Sequence, residues 1–306
     1  MCPHADGVAG SSARIPCRWI LFLFVAAATS QVRGGDPSPA ALLELHTGEA
    51  RAYRIFRDEA QTQLLELSEK PVFSWTNEIR ENRQQGHLFV WMFDGRPEVI
   101  GTMFSSPDRQ TMRRAVVHEF HTLSTEKLHP ISPDNSAFKW NPDAGIVFRL
   151  ADGAPDVSQT TGPRLLQMRS IARKFSAQTL NVSDQQTFEL RLLPTPLTHY
   201  KPGSKEVLEG ALFAMVSSAG TDPELLLVIE ARHPEENAEA WKWHASALRF
   251  TDRELTVKYN DQPVWSSLDD PARHADIKNS YTLIETPDHT YSCYRSRMIP
   301  ELPDAN

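Results

Sequence analysis

Residues His87 to Phe104 read HLFVWMFDGRPEVIGTMF, and this stretch decides the fold class. Two apolar runs, His87–Phe93 and Pro97–Phe104, flank Asp94-Gly95. Both central residues accept positive φ, so the pair closes a two-residue type I′ hairpin. Leu88, Val90 and Met92 alternate with Phe89, Trp91 and Phe93, which makes the first strand apolar on both faces. Such a strand sits inside a sheet that is covered above and below.

A second apolar hairpin, Ala211–Ser217 and Glu224–Glu230, flanks a looser Ser-Ala-Gly-Thr-Asp loop. The two hairpins lie within a longer match. Gln61–Trp75 (QTQLLELSEKPVFSW) and Gln186–Tyr200 (QTFELRLLPTPLTHY) align without gaps at an offset of 125, with five identities in fifteen and Trp75 on Tyr200. Gly86-His-Leu-Phe then falls on Gly210-Ala-Leu-Phe, Pro97-Glu-Val-Ile on Pro223-Glu-Leu-Leu, and His118 on His244. Collinear matches with small slips in loops indicate a tandem duplication.

Each copy reads as the same string of elements. Pro163 and the spacing of Leu165, Leu166, Met168, Ile171, Ala172 and Phe175 predict a helix from Pro163 to about Gln178, and residues 39 to 60 begin helix-like before Tyr53–Phe56 alternate as a strand. Strands follow at Leu65–Leu67 and Leu190–Leu192, with Pro71, Pro194 and Pro196 marking edges or bulges. Fourth strands are expected at Ala115–Ser124 and Trp243–Phe250, and a further hairpin at Leu255–Tyr259 and Val264–Ser267 around Asn260-Asp261. Residues 129–163 are rich in Pro, Asp, Gly and Ser and read as a long surface connection in which only Ile146–Leu150 resembles a strand. The expected fold is α+β, mainly antiparallel β: a duplicated β-meander forming a barrel or sandwich with one or two packed helices. The division is a signal peptide (1–34), a first β-rich repeat (35–128), a linker (129–163), a second repeat (164–268) and a C-terminal extension (269–306) holding a weak strand pair, Tyr281–Glu285 and Tyr291–Tyr294.

The amino end has the order of a secretory signal: Arg14 and Arg18, then the apolar run Trp19–Ala28, then small residues suited to cleavage between 30 and 36. Ten residues span about 15 Å as a helix, half of a hydrocarbon core, so the run is too short to anchor. Cys17 precedes the run, the wrong order for a lipoprotein. The reading is export to the periplasm or the outside, with no stable membrane span after cleavage. Loss of Arg14, Arg18, Arg33 and Asp6 moves the formal charge from −7 to −9, a balance that argues against nucleic acid as a partner. Cys293 alone of the three cysteines remains, so no intramolecular disulfide is expected.

The densest polar cluster is His118-Glu119-Phe120-His121. Two histidines three apart on a strand point to opposite faces, unlike the four-residue helical spacing of the zinc-protease signature, so no metal and no cofactor are expected. His118, Glu119 and His121 are the candidate catalytic residues. His244 is a candidate binding residue if a pseudo-twofold axis pairs it with His118. Trp75, Tyr200, Trp241 and Trp243 are candidate ring platforms for a small molecule, a glycan or a protein, against the alternative that strand aromatics fill the core; Trp91, Trp140 and Trp265 complete that aromatic set. No G-x-S-x-G elbow, Walker loop or Rossmann glycine pattern is present.

The strings FSWTN, GHLFVWMFDGRPEVIG, VVHEFHTLS, RLLPTPLTHY, GALFAMVSSAGTDPELLLVIEAR and LRFTDRELTVKYNDQPVW resemble a large family of exported proteins of planctomycete-type bacteria, over most of residues 50 to 268. The resemblance implies export and a bacterial source; that family has no assigned activity, so it carries no residue role. The expected function is an exported, non-catalytic binding or assembly module. The alternative is a hydrolase or metal-assisted enzyme centred on His118, Glu119 and His121.

Overall fold

In the computed structural model the Asp94-Gly95 hairpin closes with φ of 48° and 76°, the left-handed values its two residues tolerate, and Asn260-Asp261 does the same at 48° and 63°. The structure describes residues 37–303 except 78–82, 109, 135–137, 182–184, 219, 234–239, 269–272, 276–282 and 287–289. The signal-peptide reading of residues 1–34 lies outside them. The described residues all belong to one compact unit.

In chain order the first half runs α1 (Pro39–Arg51), β1 (Arg54–Phe56), β2 (Glu66–Leu67), β3 (Phe73–Asn77), β4 (Gln84–Phe93), β5 (Arg96–Asp108), β6 (Arg113–Thr122) and β7 (His129–Ile131). It continues with β8 (Arg149–Leu150), α2 (Thr161–Ala172), β9 (Phe175–Asn181), β10 (Gln186–Leu192), β11 (Thr198–Tyr200), β12 (Val207–Ser217), β13 (Pro223–Arg232), β14 (Lys242–Arg249), β15 (Glu254–Tyr259) and β16 (Gln262–Ser266). The C-terminal part adds β17 (Arg273–Ala275), β18 (Leu283–Glu285) and β19 (Tyr291–Pro300). All strand pairs among the described residues are antiparallel, so the α+β, mainly antiparallel class is correct. The first sheet has the order β17-β18-β19-β6-β5-β4-β2, with β3 also on β4; the second runs β16-β15-β9-β10-β12-β13-β14-β8, with β11 also on β12.

Alternation along the central strands builds three cores. Leu88, Val90 and Ile100 of the first sheet and Leu212, Ala214, Leu226 and Val228 of the second meet in one cluster, so the sheets pack face to face. Phe89, Trp91, Val99 and Phe120 point the other way, toward Ala50 of α1 and Tyr53. Phe213, Leu225, Leu227 and Trp243 point toward Met168, Ile171 and Ala172 of α2. Each helix therefore lies on the outer face of its own sheet, α1 over β4 and β5 and α2 over β12 and β13.

The two halves correspond in detail. Counted from the N-caps Ser38 and Thr160, α1 buries Leu42, His46, Glu49 and Ala50, and α2 buries the same four positions, Arg164, Met168, Ile171 and Ala172. Trp75 lies opposite Gly86 across β3 and β4, as Tyr200 lies opposite Gly210 across β11 and β12. A Cβ at either glycine would fall 2.5 Å from the ring beside it, so each glycine exists to admit an aromatic plate. Past β5 and β13 the equivalence slips by one: Met103 pairs His118, while its counterpart Ile229 pairs Ala245. His118 and His244 are therefore not equivalent, and a one-residue slip turns them to opposite faces.

Three expectations change. The second helix stops at Ala172, and Phe175–Asn181 is a strand, because Phe175, Ala177 and Thr179 alternate on a face that the sheet buries. Residues 129–163 are not confined to the surface: Trp140 is 1 % exposed and stacks on Phe120 with centroids 4.8 Å apart, and Ile146 enters the inter-sheet core. The C-terminal segment is no appendage, since β19 pairs along β6 from Arg113 to His121.

Candidate functional site

The second sheet curls until its two edges approach, and a cleft of about 470 Å³ opens at the seam. On one side β8 pairs β14 only at His244–Leu150 and Ala245–Arg149. Residues 145–148 then leave β14, drawn to the first sheet by Gly145 and Ile146 N–H groups that donate to the Ser124 carbonyl. The wedge so created is lined by Gly145, Val147 and the Ser246–Arg249 edge of β14. Across it stand Val264 and Trp265 of β16, Tyr259 of β15 and Phe175 of β9. Arg149 donates to the Val264 carbonyl at 3.3 Å and the Tyr259 hydroxyl to the Asp152 carbonyl at 3.1 Å, so these groups join opposite edges of one sheet.

The cleft is cationic inside and apolar at its lip. Arg249 is 3 % exposed, donates to the Arg253 carbonyl, and lies 6.0 Å from the ring centroids of both Trp265 and Tyr291. His121 comes from the first sheet; its Nδ1 is 2.7 Å from the Thr122 carbonyl, which can only accept, so Nδ1 carries the proton and a neutral ring keeps Nε2 as an acceptor. Arg149 adds a second guanidinium, against one carboxylate, Asp152, among the lining residues. Val147 is 74 % and Leu150 53 % exposed, so both present apolar surface at the lip. The arrangement can hold a carboxylate or another anion with an apolar portion against Trp265.

Of the four-residue cluster on β6 only His121 reaches the cleft. Glu119 shares its face but accepts from the Tyr291 hydroxyl at 2.8 Å. His118 faces α1: with its ring neutral, Nε2–H donates to Glu49 at 2.9 Å and Nδ1 accepts from the Tyr53 hydroxyl at 2.6 Å. Tyr294 hydrogen-bonds Tyr53, and Arg297 holds the other Glu49 oxygen at 3.0 Å. Burial pushes the His118 pKa down, partly opposed by Glu49; burial pushes Glu49 up, but His118 and Arg297 more than offset it and hold its carboxyl below the ordinary range. The aromatic candidates are mostly core. Trp75, Tyr200 and Trp243 are buried, Tyr200 donating to Glu230 and Trp75 to Thr102. Trp241 is half-buried beside His233 at 3.7 Å, and His244 is half-exposed with its ring on the Lys242 carbonyl. Among the described residues no cluster of three metal-ligating side chains occurs.

No family model, no curated protein and no solved structure matches this chain.

Sequence reading missed a second polar group, beneath α1. His46 Nδ1 lies 2.8 Å from His87 Nδ1, and His46 Nε2 lies 3.0 Å from the Ser105 hydroxyl, to which Arg114 also donates. Burial first, then His87 and Arg114, bring the His46 pKa down to about 3. The register of the second half places Met168, Ile171, Ala211, Ala231 and Ala245 where the first has His46, Glu49, His87, Ser105 and His118. At these five positions one half carries apolar residues and the other a polar network, so the fold does not require the network there. For Arg149, Arg249 and Trp265 no local motif exists, because the seam that unites them joins strands far apart in sequence.

Proposed function

We propose that this chain is an exported binding module whose ligand enters the seam cleft of the second sheet. The observation that carries this reading is the cleft itself: a pocket of ligand size between two strand edges, with Arg149, Arg249 and His121 converging on it and Trp265, Val147 and Leu150 offering apolar contact. His118 and Glu119 are committed to hydrogen bonds with Glu49, Tyr53 and Tyr291, which favours binding over acid–base work by the three residues together. The test is a thermal-shift screen of residues 35–306 against a library of metabolites, oligosaccharides and short peptides, with Arg149→Glu as reference. Ligands that raise the melting temperature of the parent and not of the variant support the module; hits indifferent to the variant place binding elsewhere and count against it.

Two further parts of this reading concern origin. The order of positive charge, short apolar run and small residues supports export from a bacterial cell, as does the resemblance to exported planctomycete-type proteins. Amino-end sequencing of the product from a full-length gene should begin between residues 30 and 36. The matching core orders β2-β4-β5-β6 and β10-β12-β13-β14, the shared buried helix positions and the two aromatic-on-glycine pairs support descent of the halves from one duplicated unit.

A further inference from the structure

The two sheets differ in how their equivalent fourth strands are covered. On β6, residues Glu119, Phe120 and His121 pair with Cys293, Ser292 and Tyr291 of β19. Their counterparts on β14, Ser246, Ala247 and Leu248, receive no strand on that side among the described residues, because β8 stops at Ala245. The direction of the backbone groups along this edge follows from two bonds. Ala151 N–H donates to the Trp243 carbonyl, so residue 243 presents its backbone to the β8 side, and Phe250 N–H donates to the Glu224 carbonyl, so residue 250 faces β13. Alternation then directs the backbone N–H and C=O of Ala245, Ala247 and Arg249 outward, and beyond Ala245 this edge lines the cleft.

We propose that the cleft takes an extended peptide that adds a strand to β14 over Ser246–Leu248 and presents a carboxylate to Arg149 and Arg249. This rests on the seam being the binding site and names what fills it. Strand addition supplies affinity through main-chain hydrogen bonds, while the pockets flanking the edge select side chains. Here the selection is by charge, two guanidinium groups against Asp152, and by an apolar flank at Val147, Leu150 and Trp265. The first half shows the same arrangement filled from within the chain: Tyr291, which β19 places beside His121, buries its ring and gives its hydroxyl to Glu119.

A displayed library of random heptapeptides panned on residues 35–306 tests the inference, with selected peptides resynthesised and their affinities measured by fluorescence anisotropy. The expected result is enrichment of Asp or Glu at one position. Affinity should fall at least tenfold with Arg149→Glu and with Ala247→Pro, which removes the outward N–H at an edge where proline is tolerated. N-methylation of alternate peptide amides should abolish binding. Selected peptides that are not acidic, or that bind equally well when N-methylated, overturn the proposal. Benzoate and indole-3-acetate separate it from the reading beneath it. If they shift the amide signals of Ala245–Arg249 while no peptide does, the cleft is a small-anion site and the strand proposal fails alone; if nothing moves those signals, both fail.

Discussion

The Arg96 guanidinium of the first sheet holds the Glu230 carboxylate of the second at 2.8 Å, with both side chains buried. Tyr200 and Arg232 share the same carboxylate, and Arg96 also reaches Glu98 and the Leu123 carbonyl. This pair, together with the shared apolar core, fixes how the halves face each other. Removing Glu230 from this buried group leaves the Arg96 charge only partly compensated, by Glu98. Glu230→Gln should therefore lower unfolding free energy by roughly 3 kcal/mol, and Arg96→Met combined with it should cost less than the two changes added. Urea denaturation of the single and double variants measures both.

Acid should destabilise the chain through the network beneath α1. His46 titrates near 3 in the folded state, and burial also lowers His118 and His87, whereas the unfolded imidazoles titrate near 6.5. A base with a depressed folded pKa contributes nothing to acid sensitivity above the unfolded value. Below about pH 6.5 the unfolded chain binds protons that the folded chain refuses, and stability falls, by an amount on the order of a few kcal/mol for His46, until about pH 3. Glu49, held low, adds its loss at the acid end of the same window. His46→Met, which installs the residue found at the matching position of α2, should flatten melting temperature against pH between 7 and 4. An unchanged slope would show that His46 is not the cause.

Gly86→Ala and Gly210→Ala should each cost about 1–3 kcal/mol, since the new methyl meets Trp75 or Tyr200 at 2.5 Å and neither ring has room to withdraw. Similar losses at the two sites, read from thermal unfolding, would show that both plates serve the same packing role.

His118→Ala should lower stability by about 1–3 kcal/mol, because it removes hydrogen bonds between buried groups, and Glu119→Gln by less, because its amide oxygen still accepts from Tyr291 and only the charge assistance is lost. Binding in the seam cleft should survive both. A Glu119→Gln variant that gained stability while losing ligand would instead assign the segment to the site.

The sequence made the hairpins legible because both signals are local: alternation over six or seven residues, and a turn pair with positive φ at Asp94-Gly95. The offset of 125 between Trp75 and Tyr200 survives in the registers of β3 on β4 and β11 on β12, since strands joined by short turns keep their pairing. What failed was non-local. Nothing near His118 announces that Tyr294 will lie opposite it, and the one-residue slip that separates His118 from His244 resides in the connection after β5 and β13, invisible to an alignment of identities. Trp140 sits in a stretch of turn-formers whose composition says loop, yet its ring fills the space over Phe120. The seam was illegible for the same reason: Arg149 and Trp265 meet only because the sheet curls.

The most direct test of the account is amide chemical-shift mapping on isotope-labelled residues 35–306 titrated with the strongest ligand from the thermal-shift screen. The account predicts that the largest changes fall on Ala245–Arg249, Val147 and Val264–Trp265, and that Arg149→Glu abolishes them. Changes centred on α1 and the His46–His87 pair, with the seam unmoved, would contradict it.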